Sequence, residues 1–157
     1  MTMLISPAPV RRSVTVNASR ERAFSTFTDG FDTWWPRSHT TAGVPLAKAV
    51  IEPRVGGRWY GVNEDGSESP WGEVLRFEPP TLLLLAWRIG ARWTYDADLL
   101  TEVEVTFTDL GRGRTRVDLE HRGLEQLGDD SEPTRAAIAS PTGWTGLLEI
   151  FKATTER

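Results

Sequence analysis

The hydrophobic positions of the chain change their period near residue 46. Before that point, alternation of apolar and polar residues over 10–16 predicts a strand. Apolar residues at helical spacing over 19–27 and 31–35 predict two short helices, the second of which ends at Pro36. From residue 46 onward the period is two, and glycine or proline pairs separate the apolar runs. The first part is therefore strand and helix, and the second part is mainly strand.

Six further strands are predicted from the second part of the chain. They lie near 46–52, 58–63, 71–77, 82–89, 99–108 and 114–122. Because the links between them are short, consecutive strands should pair as an antiparallel meander.

The final segment returns to helical spacing. Its apolar residues recur at i, i+3, i+4 and i+7, namely Trp144, Leu147, Leu148 and Phe151. Ser140 is a suitable N-cap, and Pro141 suits the first helical position. A helix with so large an apolar face needs a partner, so we expect a curved seven-stranded antiparallel sheet to enclose it. The fold class is then α+β, with two short helices between strands 1 and 2.

Composition narrows the classes of protein. With 157 residues, 39% of them hydrophobic, the chain fits a single domain over 1–157, with its core at about 10–155. It has no cysteine, which excludes disulfides and thiolate metal sites. A formal charge of −4 argues against nucleic acid. Met1–Val10 does not resemble a secretory signal, and no apolar run is long enough to cross a membrane, so we expect a cytoplasmic protein without membrane insertion.

Several motifs occur together in an order that resembles a known family. They are Val-Asn-Ala-Ser-Arg-Glu-Arg-Ala-Phe (16–24), Trp-Trp-Pro (34–36), Pro-Arg-Val-Gly-Gly-Arg-Trp-Tyr (53–60), Trp-Gly-Glu-Val-Leu-Arg-Phe-Glu-Pro-Pro (71–80), Thr-Glu-Val-Glu-Val-Thr-Phe (101–107), Leu-Glu-His-Arg-Gly-Leu (119–124) and Gly-Trp (143–144). The chain thereby resembles the family named for the activator of heat-shock protein 90 ATPase, which belongs to the START-like, birch-allergen-like (SRPBCC) helix-grip superfamily.

This resemblance implies a helix-grip fold with a cavity between the sheet and the C-terminal helix. It offers no catalytic motif, cofactor or metal site, and it links the chain to a chaperone only through the family name. A homodimer is compatible with such a sheet. Metal binding is not expected, because His39 and His121 are the only histidines and lack ligand partners at short spacing.

Alternation along the strands indicates which side chains line the cavity. The predicted ligand-binding residues are Trp59, Trp71, Glu73, Trp87, His121, Trp144, Leu148 and Phe151. Among them Glu73 and His121 are polar groups on apolar faces, where burial would shift their pKa values. The alternative is that Glu73 faces solvent and that a hydrogen bond satisfies His121. The tryptophans either line a ligand pocket or fill the core.

Three functions remain open at this point. The first is binding of a small hydrophobic or aromatic molecule. The second is a cyclase or hydrolase in which Glu73 and His121 act as acid and base. The third is an interaction module that contacts a protein such as a chaperone through the outer sheet or the Trp34–Trp35 corner.

Overall fold

The computed structural model describes residues 8–90 and 92–157. Its strands are β1 (Val10–Val16), β2 (Leu46–Ile51), β3 (Arg58–Asn63), β4 (Glu68–Glu78), β5 (Leu82–Trp87), β6 (Thr101–Gly111) and β7 (Arg114–Arg122). Its α-helices are α1 (Arg20–Phe27), α2 (Phe31–Trp34), α3 (Ser131–Ala139) and α4 (Trp144–Thr155), and a 3-10 helix covers Leu124–Asp130. The start of the chain, on which the expectation about a secretory signal rests, lies largely outside the described residues.

The seven strands form one antiparallel sheet in the order β1-β7-β6-β5-β4-β3-β2. Consecutive strands from β2 to β7 are neighbours, as their short links require, whereas β1 pairs with β7 at the far edge. Helices α1 and α2 therefore carry the chain from one edge of the sheet to the other. The sheet curls as a half-barrel around the C-terminal helical region, which confirms the predicted α+β helix-grip fold.

Helix α4 presents its apolar face to the interior of the protein. All four residues predicted for this face are buried. The Phe151 side chain is fully buried, and its ring centroid lies 5.3 Å from that of Phe27 and 5.4 Å from that of Trp34. Both contacts are edge-to-face, a favourable arrangement for aromatic rings. Helix α4 is thereby fixed to both α1 and α2.

The predicted start of the C-terminal helix is wrong by three residues. Helix α3 ends just before Ser140, whose hydroxyl donates to the Ala137 carbonyl at 2.7 Å instead of capping the next helix. Residues 140–143 then form a turn in which the Gly143 N–H donates to the Ser140 carbonyl at 2.9 Å. Helix α4 begins only after this turn, at Trp144.

Strand β4 contains two irregularities that change which side chains face inward. On β3, Trp59 pairs with Gly72 and Tyr60 pairs with Pro70, so Trp71 has no paired residue there. Leu75 likewise has no paired residue on β5. Each extra residue shifts the alternation by one position. The strict two-residue period predicted for 71–77 is therefore wrong.

Gly143 is required by close packing at the turn between α3 and α4. A Cβ atom at this position would lie 2.3 Å from the Ile138 carbonyl oxygen and 2.7 Å from the Ala137 oxygen. Backbone atoms cannot move aside as a side chain can, so we expect Gly143→Ala to lower the unfolding free energy by about 1–3 kcal/mol in urea denaturation. Gly43→Ala is the matched control, because a Cβ atom there meets nothing within 4 Å. Equal effects of the two changes would contradict this account.

Candidate functional site

A cavity of about 360 Å³ lies between the sheet and the C-terminal helices. Its residues come from β3, β4, β5, the loop after α2, the loop after β5, and α3 and α4 with the turn between them. They are Trp35, Ser38, His39, Thr40, Thr41, Trp59, Trp71, Trp87, Ile89, Trp93, Ala137, Ile138, Ser140, Thr142, Gly143, Trp144 and Leu147. Six of the seven tryptophans in the chain are in this set. Tryptophan is therefore the most frequent residue in the lining of the cavity.

Five of these tryptophans contact one another in a closed cycle, which we call the five-tryptophan cluster. In order around the cycle its members are Trp59, Trp87, Trp144, Trp35 and Trp71, and the last returns to the first. Neighbouring ring centroids are 5.4–6.1 Å apart, and the rings are tilted or perpendicular rather than stacked. Each member is at least nine-tenths buried. The cluster forms an apolar wall built by three strands, one helix and the end of α2.

Three indole N–H groups of the cluster are held by hydrogen bonds within the protein. Trp35 donates to the His39 carbonyl at 2.9 Å, and Trp87 donates to the Ile89 carbonyl at 3.1 Å. Trp144 donates to Nδ1 of His121 at 3.1 Å. These bonds fix the orientation of each ring, because a buried N–H that lost its acceptor would raise the free energy of the fold.

His121 lies behind the cavity wall and joins two of the tryptophans. An indole N–H can only donate, so Nδ1 of His121 is the acceptor and the ring proton is on Nε2. Nε2 then donates to Oγ1 of Thr101 at 2.9 Å, and Oγ1 donates to the Trp87 carbonyl at 2.9 Å. Complete burial lowers the pKa of His121 to about 3. The imidazole is therefore neutral at physiological pH and links Trp144 to the backbone of Trp87.

The structure places Glu73 on the opposite face of the sheet, which corrects the inward position predicted for it. Glu73 pairs with Ala86 across β4 and β5, next to the inward-facing Trp87. Its carboxylate accepts from Arg88 at 2.6 Å and does not line the cavity. The physical reason is the extra residue Trp71, which shifts the alternation before Glu73 is reached. Glu73 and His121 thus lie on different faces, and the predicted acid–base pair does not form.

Of the other residues predicted to bind a ligand, some line the cavity and others are buried in the hydrophobic core. The cavity is lined by Trp59, Trp71, Trp87 and Trp144 but not by Leu148 or Phe151, which are buried in the core. Leu147 takes their place as the α4 side chain that faces the cavity beside Trp144. His121 is not a lining residue and acts through the two tryptophans described above.

One side of the cavity is polar, and this part was missed by sequence reasoning. It consists of Ser38, His39, Thr40, Thr41, Ser140 and Thr142. Nε2 of His39 lies 2.9 Å from the carbonyl oxygen of Thr142, so it carries a proton and joins the loop after α2 to the turn before α4. No periodic pattern marks such loops, and only the tertiary fold brings them together.

The Trp34–Trp35 corner is not an exposed contact surface. Trp34 and Trp35 are 2% and 6% exposed, respectively. Trp34 packs against Phe151 in the core, and Trp35 belongs to the five-tryptophan cluster. The corner therefore presents no exposed tryptophan to a partner protein, and contact through the outer sheet stays a hypothesis.

Neither metal ligands nor a membrane span is found in the described part of the chain. No group of three or more histidine or acidic side chains in residues 8–90 and 92–157 is arranged to hold a metal ion. No helix within the same ranges combines the length and apolarity needed to cross a membrane.

Comparison with known proteins agrees with this architecture. Residues 17–156 match the sequence model of the family described as activator of Hsp90 ATPase homolog 1-like protein. The chain belongs to this family, and its START-like fold is the one that the sequence motifs predicted. A search of curated proteins gave no match.

Two solved structures are similar in sequence as well as in fold. An anthrahydroquino-gamma-pyrone synthase, Txn09, solved with a bound compound, is 38% identical, with 96% of this chain and 99% of that chain covered and a TM-score of 0.66. The self-sacrificing resistance protein CalC from Micromonospora echinospora is 36% identical, with 94% of each chain covered and a TM-score of 0.70.

Proposed function

We propose that this protein binds a planar, mainly apolar aromatic small molecule in the cavity lined by the five-tryptophan cluster. The observation that carries the proposal is the wall itself, in which five indoles, each in contact with the next, line space that no protein side chain fills. Concave sites lined by aromatic and apolar side chains with a few polar groups are the usual places where proteins bind small molecules. A flat ligand would supply the missing contacts.

The dimensions suit a ligand of about three fused rings. A volume of about 360 Å³ is at the lower end of the range typical of small-molecule sites. Tilted and perpendicular indoles offer both faces and edges to an aromatic ring, and each such contact contributes about 0.5–1.5 kcal/mol beyond area burial. The polar side formed by Ser38–Thr41, Ser140 and Thr142 can solvate one polar end of the molecule.

The first of the two similar structures supports this ligand class. The name of the first, an anthrahydroquino-gamma-pyrone synthase, describes a fused aromatic compound, and that protein was solved with a compound bound. The second is named as a resistance protein. Both share more than a third of their residues with this chain over nearly the whole length.

A second candidate function is ring formation on a bound aromatic precursor, which is favoured by the 38% identity to a synthase. The groups for such chemistry would be the hydroxyls and His39 on the polar side of the cavity, because Glu73 faces away and His121 is neutral and fully hydrogen-bonded. Chromatography of hydroxylated anthraquinones with diketone side chains, before and after incubation with the protein, tests this. Unchanged substrates would leave binding as the better account.

Calorimetric titration with anthraquinone-2-sulfonate tests the binding function. We expect a Kd in the micromolar range, or about −8 kcal/mol. Leu147→Trp should weaken binding at least ~10-fold, since Leu147 is on α4 and faces the cavity, which has room for the larger side chain. Ile150→Trp is the matched control on the same helix, because Ile150 is 42% exposed and lies outside the cavity.

Two results would contradict the proposal. One is absence of binding to the wild-type protein at millimolar probe concentration. The other is equal affinity of the Leu147→Trp and Ile150→Trp variants, provided that circular dichroism shows both to be folded. Native mass spectrometry of freshly purified protein adds an independent measurement, because a retained aromatic compound would appear as an extra mass that is lost on denaturation.

A further inference from the structure

Trp93 lies in the loop after β5 and differs from the other tryptophans that line the cavity. The members of the five-tryptophan cluster are buried, whereas Trp93 is 47% exposed. The lining residues that are exposed to solvent are Ser38, Trp93 and Thr142, and we call these three residues the mouth of the cavity. Two of them carry small polar side chains. Trp93 is therefore the one large aromatic group that borders both the cavity and the solvent.

The backbone of Trp93 has a conformation that suits glycine better than tryptophan. Its φ angle is 55°, in the left-handed region, where a residue with a Cβ atom is strained. The Trp93 N–H donates to the Gly90 carbonyl at 3.0 Å, and the Gly90 N–H donates to the Thr94 carbonyl at 2.9 Å. These bonds close a tight three-residue turn, in which glycine usually takes the left-handed position. Tryptophan at this position destabilises the turn.

Packing in the core does not explain why tryptophan is present at this position. A half-exposed indole gains only part of the free energy that complete burial of an aromatic side chain provides. Glycine or asparagine would relieve the backbone strain. Residues held in strained backbone conformations are concentrated at active sites and at the groups that hold ligands. The strain at Trp93, together with its place at the mouth, indicates a role in contact with a ligand.

We propose that the indole of Trp93 is a ligand-contacting group, which covers the side of a bound aromatic molecule that faces the mouth of the cavity. The inference rests on the proposed function, because it requires an aromatic ligand in the cavity. The five-tryptophan cluster contacts the inner side of this ligand, and Trp93 contacts its outer side. Ring contacts with the ligand bury indole surface that is in water in the free protein. This gain offsets the backbone strain only in the complex.

Trp93→Gly should affect folding and binding differently. Glycine relieves the strain in the turn, so the Tm should stay within about 2 °C of the wild-type value or rise. Loss of the indole removes aromatic contact with the ligand, so the Kd for anthraquinone-2-sulfonate in calorimetric titration should rise at least ~10-fold. A residue with a structural role alone would lower the Tm when it is replaced. A Tm that falls by more than about 5 °C would therefore contradict the inference.

Arg112→Gly is the matched control for Trp93→Gly. Trp93 and Arg112 are the two non-glycine residues with a left-handed φ angle in residues 8–90 and 92–157. Arg112 has a φ angle of 58°, is exposed in the turn between β6 and β7, and does not line the cavity. Its replacement relieves the same kind of strain, and the Kd for the probe should change by about twofold or less. Equal affinities of the two variants would overturn the inference.

The outcomes also separate this inference from the function on which it rests. If the wild-type protein and Trp93→Gly bind the probe equally well, aromatic binding stands and the role of Trp93 is wrong. If the wild-type protein does not bind the probe, the proposed function fails and the inference fails with it.

NMR of the wild-type protein gives a second measurement that does not depend on the folding of Trp93→Gly. A neutral gadolinium chelate in the solvent broadens the N–H signal of an exposed indole, and the Trp93 signal is identified by its absence from the spectrum of Trp93→Phe. We expect saturating anthraquinone-2-sulfonate to protect the Trp93 signal from this broadening. Unchanged broadening in the complex would overturn the inference.

Discussion

Phe151→Ala is expected to lower the unfolding free energy by about 3–5 kcal/mol, the range for deleting a fully buried aromatic side chain. Phe151 is the α4 residue at which the helix meets both Phe27 and Trp34. Its removal leaves a void between α4 and the two short helices, which are held by the sheet and cannot close it fully. The loss is a large part of the 5–15 kcal/mol that stabilises an ordinary domain.

Thermal and urea denaturation measure this effect, with a fall in Tm of roughly 10 °C expected for a chain of this length. Ile150→Ala is the control, because Ile150 is the preceding residue on the same helix and is 42% exposed. It should change stability by about 0.5 kcal/mol or less. If both changes had the same small effect, α4 would not be the element that anchors the core.

The sequence distinguishes the buried Phe151 from the exposed Ile150. It does not show which buried residues of α4 line the cavity and which fill the core. Helical spacing identifies the buried face of α4 because a 3.6-residue period depends only on local geometry. The same face is shared by Leu147, which lines the cavity, and by Leu148, which lies in the core. Which of the two faces the empty space depends on the curvature of the sheet and the position of α3. Neither property has a local signal.

Strand β4 shows where alternation fails as a guide to a site. A period of two assigns Trp71 and Glu73 to one face, whereas the structure places Trp71 in the cavity and Glu73 beside Arg88 on the outer face. The irregularity at Trp71 separates them, and such an extra residue leaves no mark on hydrophobic periodicity. Strand β7 pairs with β6 without irregularity around His121, and there the alternation predicted the inward face correctly.

His121 gives the second large effect, which is a dependence of stability on pH. In the folded protein the pKa of His121 is lowered to about 3 because burial disfavours the charged ring, while in the unfolded chain it is near 6.5. The unfolded state therefore binds more protons between these values. The neutral histidine contributes its full stability above pH 6.5, and this contribution is lost as pH falls toward 3. Complete loss of this contribution lowers the free energy of unfolding by roughly 5 kcal/mol.

Comparison with His121→Gln isolates this contribution from the titration of carboxylates, which both proteins share. We expect the stability of the wild type relative to the variant to fall by about 2–3 kcal/mol between pH 6.5 and 4.5, measured by urea denaturation at each pH. The ring of His121 should also show no titration by NMR between pH 8 and 5, which tests the same point if the variant does not fold. A parallel pH dependence of the two proteins, or a His121 ring that titrates near pH 6, would mean that the link between Trp144, His121 and Thr101 opens readily. The wall of the cavity would then not be held by a permanently neutral imidazole.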